Sequence, residues 1–227
     1  MVINSKLSDA ELLQAIYSAA REYSNLIGNT YLIIGKNRNS DFFWFQCKFE
    51  KKHFMHLLGI DSRTLKATEF YDKCNGYNNG EDAGITVSDC TPSRNHSRVT
   101  LNEKCSCCAD MLHIQDAKYM KVGLKDKISQ YVDFSYAYGN MATLGFKAIR
   151  DTSVPVTLIP RNIDEFVIKK YKIVFVLKKK STDESYSKIL MEAKEGLFSE
   201  LYKTFPEDIL NLCDNNLSKI VKDDIEL

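Results

Sequence analysis

Tyr136-Ala137-Tyr138-Gly139-Asn140-Met141-Ala142-Thr143-Leu144-Gly145-Phe146-Lys147-Ala148-Ile149 carries the clearest sign of fold class in the chain. Gly139-Asn140 lies between two apolar runs. Both residues tolerate positive φ, so the pair predicts a two-residue hairpin turn. Such a turn joins antiparallel strands, since parallel ones need a crossover of a dozen or more residues. Working outward, residues 133–138 and 141–149 become strands, and further strands are expected at 121–123, 154–159 and 171–180. On the N-terminal side, residues 31–34 and 42–49 read as two more. In the second of these, Phe43, Phe45, Cys47 and Phe49 fall on one face, and Phe42, Trp44, Gln46 and Lys48 on the other.

Helices frame this strand-rich text. Ser8-Asp9-Ala10-Glu11 has capping-box spacing. Leu12, Ile16, Ala19, Tyr23 and Leu26 follow at steps of three and four, one stripe of a helix that Gly28 closes. Residues 51–58 read as a short helix stopped by Gly59, 65–74 as another, and 185–212 as helical again. Residues 75–104 are rich in Asn, Gly, Asp and Ser, with a short strand at Ile85-Thr86-Val87. A loop of that length is either functional or mobile. The expected architecture is α+β. A central, mainly antiparallel sheet carries an N-terminal helix and a helical C-terminus. Residues 1–227 form one domain, with a loop-rich insertion at 75–118 and a helical, acidic segment at 190–227.

Composition narrows the function. The chain has 227 residues, 31 Lys plus Arg, 30 Asp plus Glu and a net charge of +1. Binding to nucleic acid through bulk charge is therefore not expected, although local patches suffice for contact. Residues 161–180 carry seven bases and two acids, and residues 181–227 eleven acids and five bases. The basic strand reads as an anion-binding face, or as lysines that blunt an exposed edge. No apolar run approaches the roughly 18 residues of a membrane span. The N-terminus lacks the order of a signal peptide, so a cytoplasmic protein with free thiols is expected.

Motifs for nucleotide-dependent enzymes, α/β-hydrolases and zincins are missing, because the chain has no G-x-G-x-x-G, G-x4-G-K-[ST], G-x-S-x-G or H-E-x-x-H. Small acid–base enzymes remain. His53 and His56 lie three apart near Lys48, Lys51 and Lys52, a grouping suited to proton transfer beside phosphate. Cys90, His96, Cys105, Cys107, Cys108 and His113 form a looser set within 24 residues, in which Cys105-x2-Cys108 has zinc-ligand spacing and the second pair would be Cys90 with His96 or His113. Buried thiols are the plainer reading of that set. No cofactor is expected.

The run Phe49-Glu50-Lys51-Lys52-His53-Phe54-Met55-His56-Leu57-Leu58-Gly59-Ile60, followed by Phe70-Tyr71, resembles the F-x-x-x-x-F-x-H-L-x-G-[IL] … F-Y signature of phage-associated nuclease-like domains. These belong to the barnase–EndoU–colicin–RelE-like group, in its fourth phage branch. Residues 139–146 and 155–162 are similar to the C-terminal half of such proteins. The resemblance spans about residues 8–190, with 75–118 departing as an insertion. It implies a compact α+β fold and a metal-independent endoribonuclease, in which a base takes the ribose 2′-OH proton and an acid protonates the departing 5′-oxygen. His56 is the motif histidine. Chemistry adds Lys52, Lys48 and Arg161 as phosphate binders and Thr143, Tyr186 and Ser187 as polar partners. The catalytic candidates are thus His56, Lys52, Arg161 and Thr143, and the RNA-binding candidates Lys48, Lys172, Lys178, Tyr186 and Ser187. Trp44 and Phe42 either stack bases or form a second apolar layer, the latter the better reading for Trp44. Two alternatives stand beside this one. One is a non-catalytic inhibitor or adaptor in phage–host conflict that binds a host protein. The other is a zinc-stabilised module at 90–113.

Overall fold

The structure is a computed structural model in which residues 3–77, 84–125, 134–214 and 217 are described. Helix α1 spans Asp9–Ser24, and its capping box is formed: the Glu11 N–H donates to Ser8 Oγ at 3.3 Å and the Ser8 N–H to Glu11 Oε2 at 2.8 Å. Its buried stripe is Leu12, Ile16, Ala19, Ala20 and Tyr23. The cap is Asn25, and Gly28, at φ +78°, instead turns the chain into the sheet. Strands β1 (Asn29–Lys36) and β2 (Phe42–Lys48) form a hairpin, followed by α2 (Lys51–Leu58) and α3 (Ala67–Gly76). Helix α4 (Arg98–Leu112) precedes β3 (Lys121–Lys125), β4 (Tyr136–Gly139), β5 (Thr143–Ile149), β6 (Thr152–Ile159), β7 (Val167–Lys180) and β8 (Lys188–Glu192). Two short helices follow, α5 (Leu197–Tyr202) and α6 (Glu207–Leu210).

Among the described residues eight strands run in the order β1-β2-β6-β5-β4-β3-β7-β8, and β1 also pairs with β7. The pairings therefore return on themselves through seven strands, with β8 added to β7. Pairing is antiparallel except between β2 and β6, which meet in parallel at Cys47↔Ser153. The expected α+β class with a mainly antiparallel sheet holds. Both faces of the sheet are covered. Tyr31 and Ile33 of β1 face the α1–α4 side, and Leu32 and Ile34 face a second core with Phe175, Tyr186, Phe198 and Phe205. That two-sided burial explains the unbroken apolar run of β1. Phe43, Phe45, Cys47 and Phe49 join the first core as their alternation predicts. Trp44 and Phe42 join the second, with Phe42 edge-on to Phe205 at 5.3 Å, so they form the second apolar layer. Among the described residues no helix is long and apolar enough to cross a membrane.

Four local expectations are corrected. Gly139 pairs with Thr143, so the β4–β5 loop is Asn140-Met141-Ala142 rather than a two-residue turn. Gly139 adopts φ +144°, and a Cβ there would lie 2.0 Å from the Ala142 carbonyl oxygen, which leaves glycine as the fitting residue. Residues 98–112, expected within a loop-rich insertion, form α4. Ile85-Thr86-Val87 is not a strand. Val87–Asp89 is a 3-10 turn capped by Thr86, whose N–H donates to Asp89 Oδ2 at 2.8 Å. Residues 188–192, expected to be helical, form β8, which pairs Met191 with Val176 of β7 and buries Met191. Residues 78–83, 126–133 and most of the acidic tail lie outside the described residues, including the Asp133 start expected for one strand.

Candidate active site

Helix α2 buries Phe54, Leu57 and Leu58 against the core, which leaves His56 exposed on the outer side. Gly59 ends the helix in the left-handed conformation, φ +72°. Its N–H donates to the His56 carbonyl at 2.9 Å, and the Ile60 N–H donates to the Met55 carbonyl at 3.1 Å. The chain then forms a small backbone ladder with a distant segment. Ile60 bridges Pro92, the Asp61 N–H donates to the Thr91 carbonyl at 2.8 Å, and the Ser93 N–H donates to the Gly59 carbonyl at 2.9 Å. This ladder brings His96 to the end of α2 that carries His56. The ring of His96 is fixed by Ser93, with Nδ1 2.5 Å from the hydroxyl, while the His96 N–H donates to the Ser93 carbonyl at 2.8 Å.

Helix α4 begins directly after, capped by Ser97, whose hydroxyl accepts from the Thr100 N–H at 3.2 Å. Leu101, Cys105, Cys108 and Leu112 face the core, and Thr100, Glu103 and Lys104 line a cleft. The opposite wall is the end of β6, with Thr157 and Arg161. The cleft measures about 700 Å³ and gathers His56, His96, Lys104 and Arg161 from four separate segments. Lys104 forms its floor and is only 2% exposed. A Cβ placed on Gly59 would lie 3.2 Å from Lys104 Nζ and 3.3 Å from His96 Nδ1. The ammonium and the imidazole therefore converge on one point at the helix end, where a side chain would have to displace both by a few tenths of an ångström.

Burial sets the electrostatics. It pushes the Lys104 ammonium down to about 8, and the thiols of Cys105, Cys108 and Cys107 act weakly in the opposite direction. Burial, with the Lys104 charge next, holds His96 below the usual imidazole range. At neutral pH His96 is therefore poised to accept a proton beside a cation that itself titrates close to working pH.

The structure separates the sequence-derived candidates. His56 and Arg161 share the cleft. Thr143 is fully buried and donates its hydroxyl to the Arg161 carbonyl at 2.9 Å, so it positions Arg161 from behind. Lys48 and Lys52 each reach Glu50 at 2.8 Å at the opposite end of α2, and the two cations hold the Glu50 carboxyl down at about 2. Lys172 lines a different depression. Lys178 lies opposite Tyr31 near the far end of β7, and Ser187 is exposed just before β8; neither lines the cleft. Tyr186 is fully buried in the second core, with its hydroxyl donating to Gln46 Oε1 at 2.9 Å, so it cannot offer its ring to RNA. His53 turns inward and is half-buried.

The looser Cys/His set is spread among other partners. Cys90, Cys105 and Cys108 are buried with free thiols that burial pushes upward, to about 12 for Cys90. His113 lies against Glu22 of α1, Nε2 to Oε2 3.0 Å. Among the described residues no three His, Cys, Asp or Glu side chains are grouped to hold a metal ion. Sequence reasoning missed Ser93, His96 as a member of this site, and Lys104. A single serine in an irregular stretch, or one lysine in a helix, carries no local signal of a site, and His96 stands out in the sequence only as one of the Cys/His set.

No curated protein and no solved structure matches the chain. The family model of the phage-Barnase-EndoU-ColicinE5/D-RelE like nuclease4, PBECR4, covers residues 15–195, which include His56, His96, Lys104 and Arg161, and the chain belongs to that family.

Proposed function

We propose that the protein is an endoribonuclease that needs no metal and cuts RNA by general acid–base attack of the ribose 2′-OH. The observation that carries this reading is the convergence of two imidazoles and two cations on one cleft. His96, neutral at working pH and oriented by Ser93, takes the 2′-OH proton. The 2′-oxygen attacks the adjacent phosphorus. The bond to the 5′-oxygen breaks, and His56 supplies that oxygen with its proton. The products are a 2′,3′-cyclic phosphate and a free 5′-OH. Lys104 and Arg161 hold the phosphoryl oxygens as charge builds on them, and a cation fixed in a poorly solvated floor acts more strongly there than in water. The donor set supports this chemistry, since Glu103 is the carboxylate among the lining side chains and the rest of the charge is cationic. Cytoplasmic RNA is the substrate this reading assigns.

The test is cleavage of mixed cellular RNA by purified protein in EDTA, beside His56→Ala and His96→Ala. Wild type is expected to leave 2′,3′-cyclic phosphate ends, and each variant to cut slower by about 10²–10⁴, the usual contribution of a positioned acid or base. A folded wild type that leaves every RNA intact overturns the reading in favour of a non-catalytic protein that binds an inhibitor or host partner.

A further inference from the structure

A second cationic depression, of about 540 Å³, lies where β1, β7 and β3 run side by side. The register puts three lysines in one row across them, because Lys36 pairs with Lys172 and Lys172 pairs with Lys121. Lys170 lies two residues along β7 on the same face, and Arg38 reaches in from the β1–β2 loop. Like charges directly opposite one another destabilise a sheet. The fold answers five cations with one carboxylate, Asp164, 2.9 Å from Lys121 and 3.2 Å from Lys170. Among the described residues no carboxylate pairs with Lys36, Arg38 or Lys172. Lys36 Nζ lies 5.6 Å from the ring of Phe42 instead.

The location matters as much as the charge. Asp164 belongs to the turn after β6 that also contains Arg161 and Phe166, and both of these line the cleft. The turn therefore links the cleft to two of the basin lysines through Asp164. A row of three lysines on adjacent strands spans about 10 Å at the usual inter-strand spacing, longer than one phosphate group. The row is reachable from solvent, and of the two amides that line the basin with it, Asn37 is engaged with Asp41, its Nδ2 donating to Asp41 Oδ2 at 2.8 Å, so charge dominates what the basin offers a ligand.

The geometry points to this basin as a docking site for the sugar–phosphate backbone of the strand whose neighbouring segment occupies the cleft, held without regard to sequence. The inference rests on the nucleic-acid reading of the cleft. It adds a second site that lengthens the footprint and makes capture salt-dependent.

The experiment measures binding of a fluorescent single strand of about 12 nucleotides, within the usual footprint of such grooves. Its 2′-hydroxyls are O-methylated, so it cannot be cut. Wild type is compared with a Lys36→Ala, Arg38→Ala, Lys172→Ala triple variant over a salt series. The variant is expected to bind more weakly. Its plot of log affinity against log salt should be flatter by about 2, three contacts at roughly 0.7 each for a single strand. Equal affinity and equal slope overturn the inference. Displacement of the strand by inorganic phosphate at matched ionic strength overturns it too, since the basin is then a small-anion site. Thermal melting separates loss of binding from unfolding, because removing a like-charge row leaves the melting temperature unchanged or raises it. A wild type that binds the strand in this basin yet cuts no RNA sinks the nuclease chemistry and supports the basin.

Discussion

The cleft and the basin are both cationic, but they hold their charge in opposite ways. In the cleft, Lys104 is 2% exposed, beside a histidine fixed by a serine and a helix end locked in a left-handed turn. In the basin, the lysines and the arginine stand at the surface of three strands, and salt bridges engage only some of them. A charge taken out of water costs stability and shifts its own pKa, but it acts strongly and from a fixed position. A surface charge costs little and is screened within about 8–10 Å at ordinary salt. The first arrangement suits chemistry on one phosphate, and the second suits capture of many.

This contrast is broken most sharply by the histidine variants, whose loss of cleavage by about 10²–10⁴ exceeds every other effect expected here. Next comes Lys104→Met. Cleavage should fall by about 10²–10³, as for loss of a preorganised charge stabiliser. Stability should move the other way. The folded Lys104 titrates at about 8 against 10.5 for the free group. Between those values the unfolded chain binds more protons, so wild-type stability rises with pH across that window. Below about 8 both states are protonated and the full penalty stands, on the order of 3 kcal/mol. Lys104→Met should therefore be more stable than wild type at pH 7, and the gap should close towards pH 10.5. Chemical denaturation at several pH values measures this, and a variant less stable at pH 7 would mean that the ammonium is well solvated where it lies.

Gly59→Ala follows. A left-handed φ costs a residue with a side chain about 1–2 kcal/mol, and the new methyl meets Lys104 Nζ and His96. Denaturation midpoints and cleavage rates should fall together. Thr143→Val should cost about 1 kcal/mol by leaving the Arg161 carbonyl without its donor, with a smaller loss of rate that appears in kcat. The smallest effect belongs to the basin. Lys172→Ala should leave stability within about 0.5 kcal/mol of wild type while reducing the salt dependence of strand binding.

Much of the fold was legible from local rules. The capping box of α1, the two-faced alternation of β2, the glycine stop of α2 and the strands from β5 to β7 are written in spacing and turn chemistry. Helix α4 was hidden because its core stripe is Leu101, Cys105, Cys108 and Leu112. Cysteines at those positions read as reactive thiols or zinc ligands, although as buried side chains they act as small apolar groups. Its buried Asn102 and Lys104 weakened the stripe further. Strand β8 was hidden because residues 188–192 have no turn chemistry of their own, and the edge of β7 decides their conformation. Tyr186 was misassigned because a polar tip on an aromatic ring looks like a ligand contact until its hydroxyl is seen to satisfy Gln46 inside a core.

The α+β class and the place of Arg161 just past a strand are legible in the chain, because capping, alternation and turn preferences act over a few residues, whereas His56 is singled out by the resemblance to the family motif. Packing alone settles that His96 and Lys104, some forty residues beyond His56, complete the cleft. It also settles that three lysines from β1, β7 and β3 stand in one row. Both depend on long-range pairing, Ile60 with Pro92 in one case and the β1–β7–β3 register in the other. Register and burial are properties of packed elements, and the desolvation that tunes Lys104 exists only once the core has closed around it.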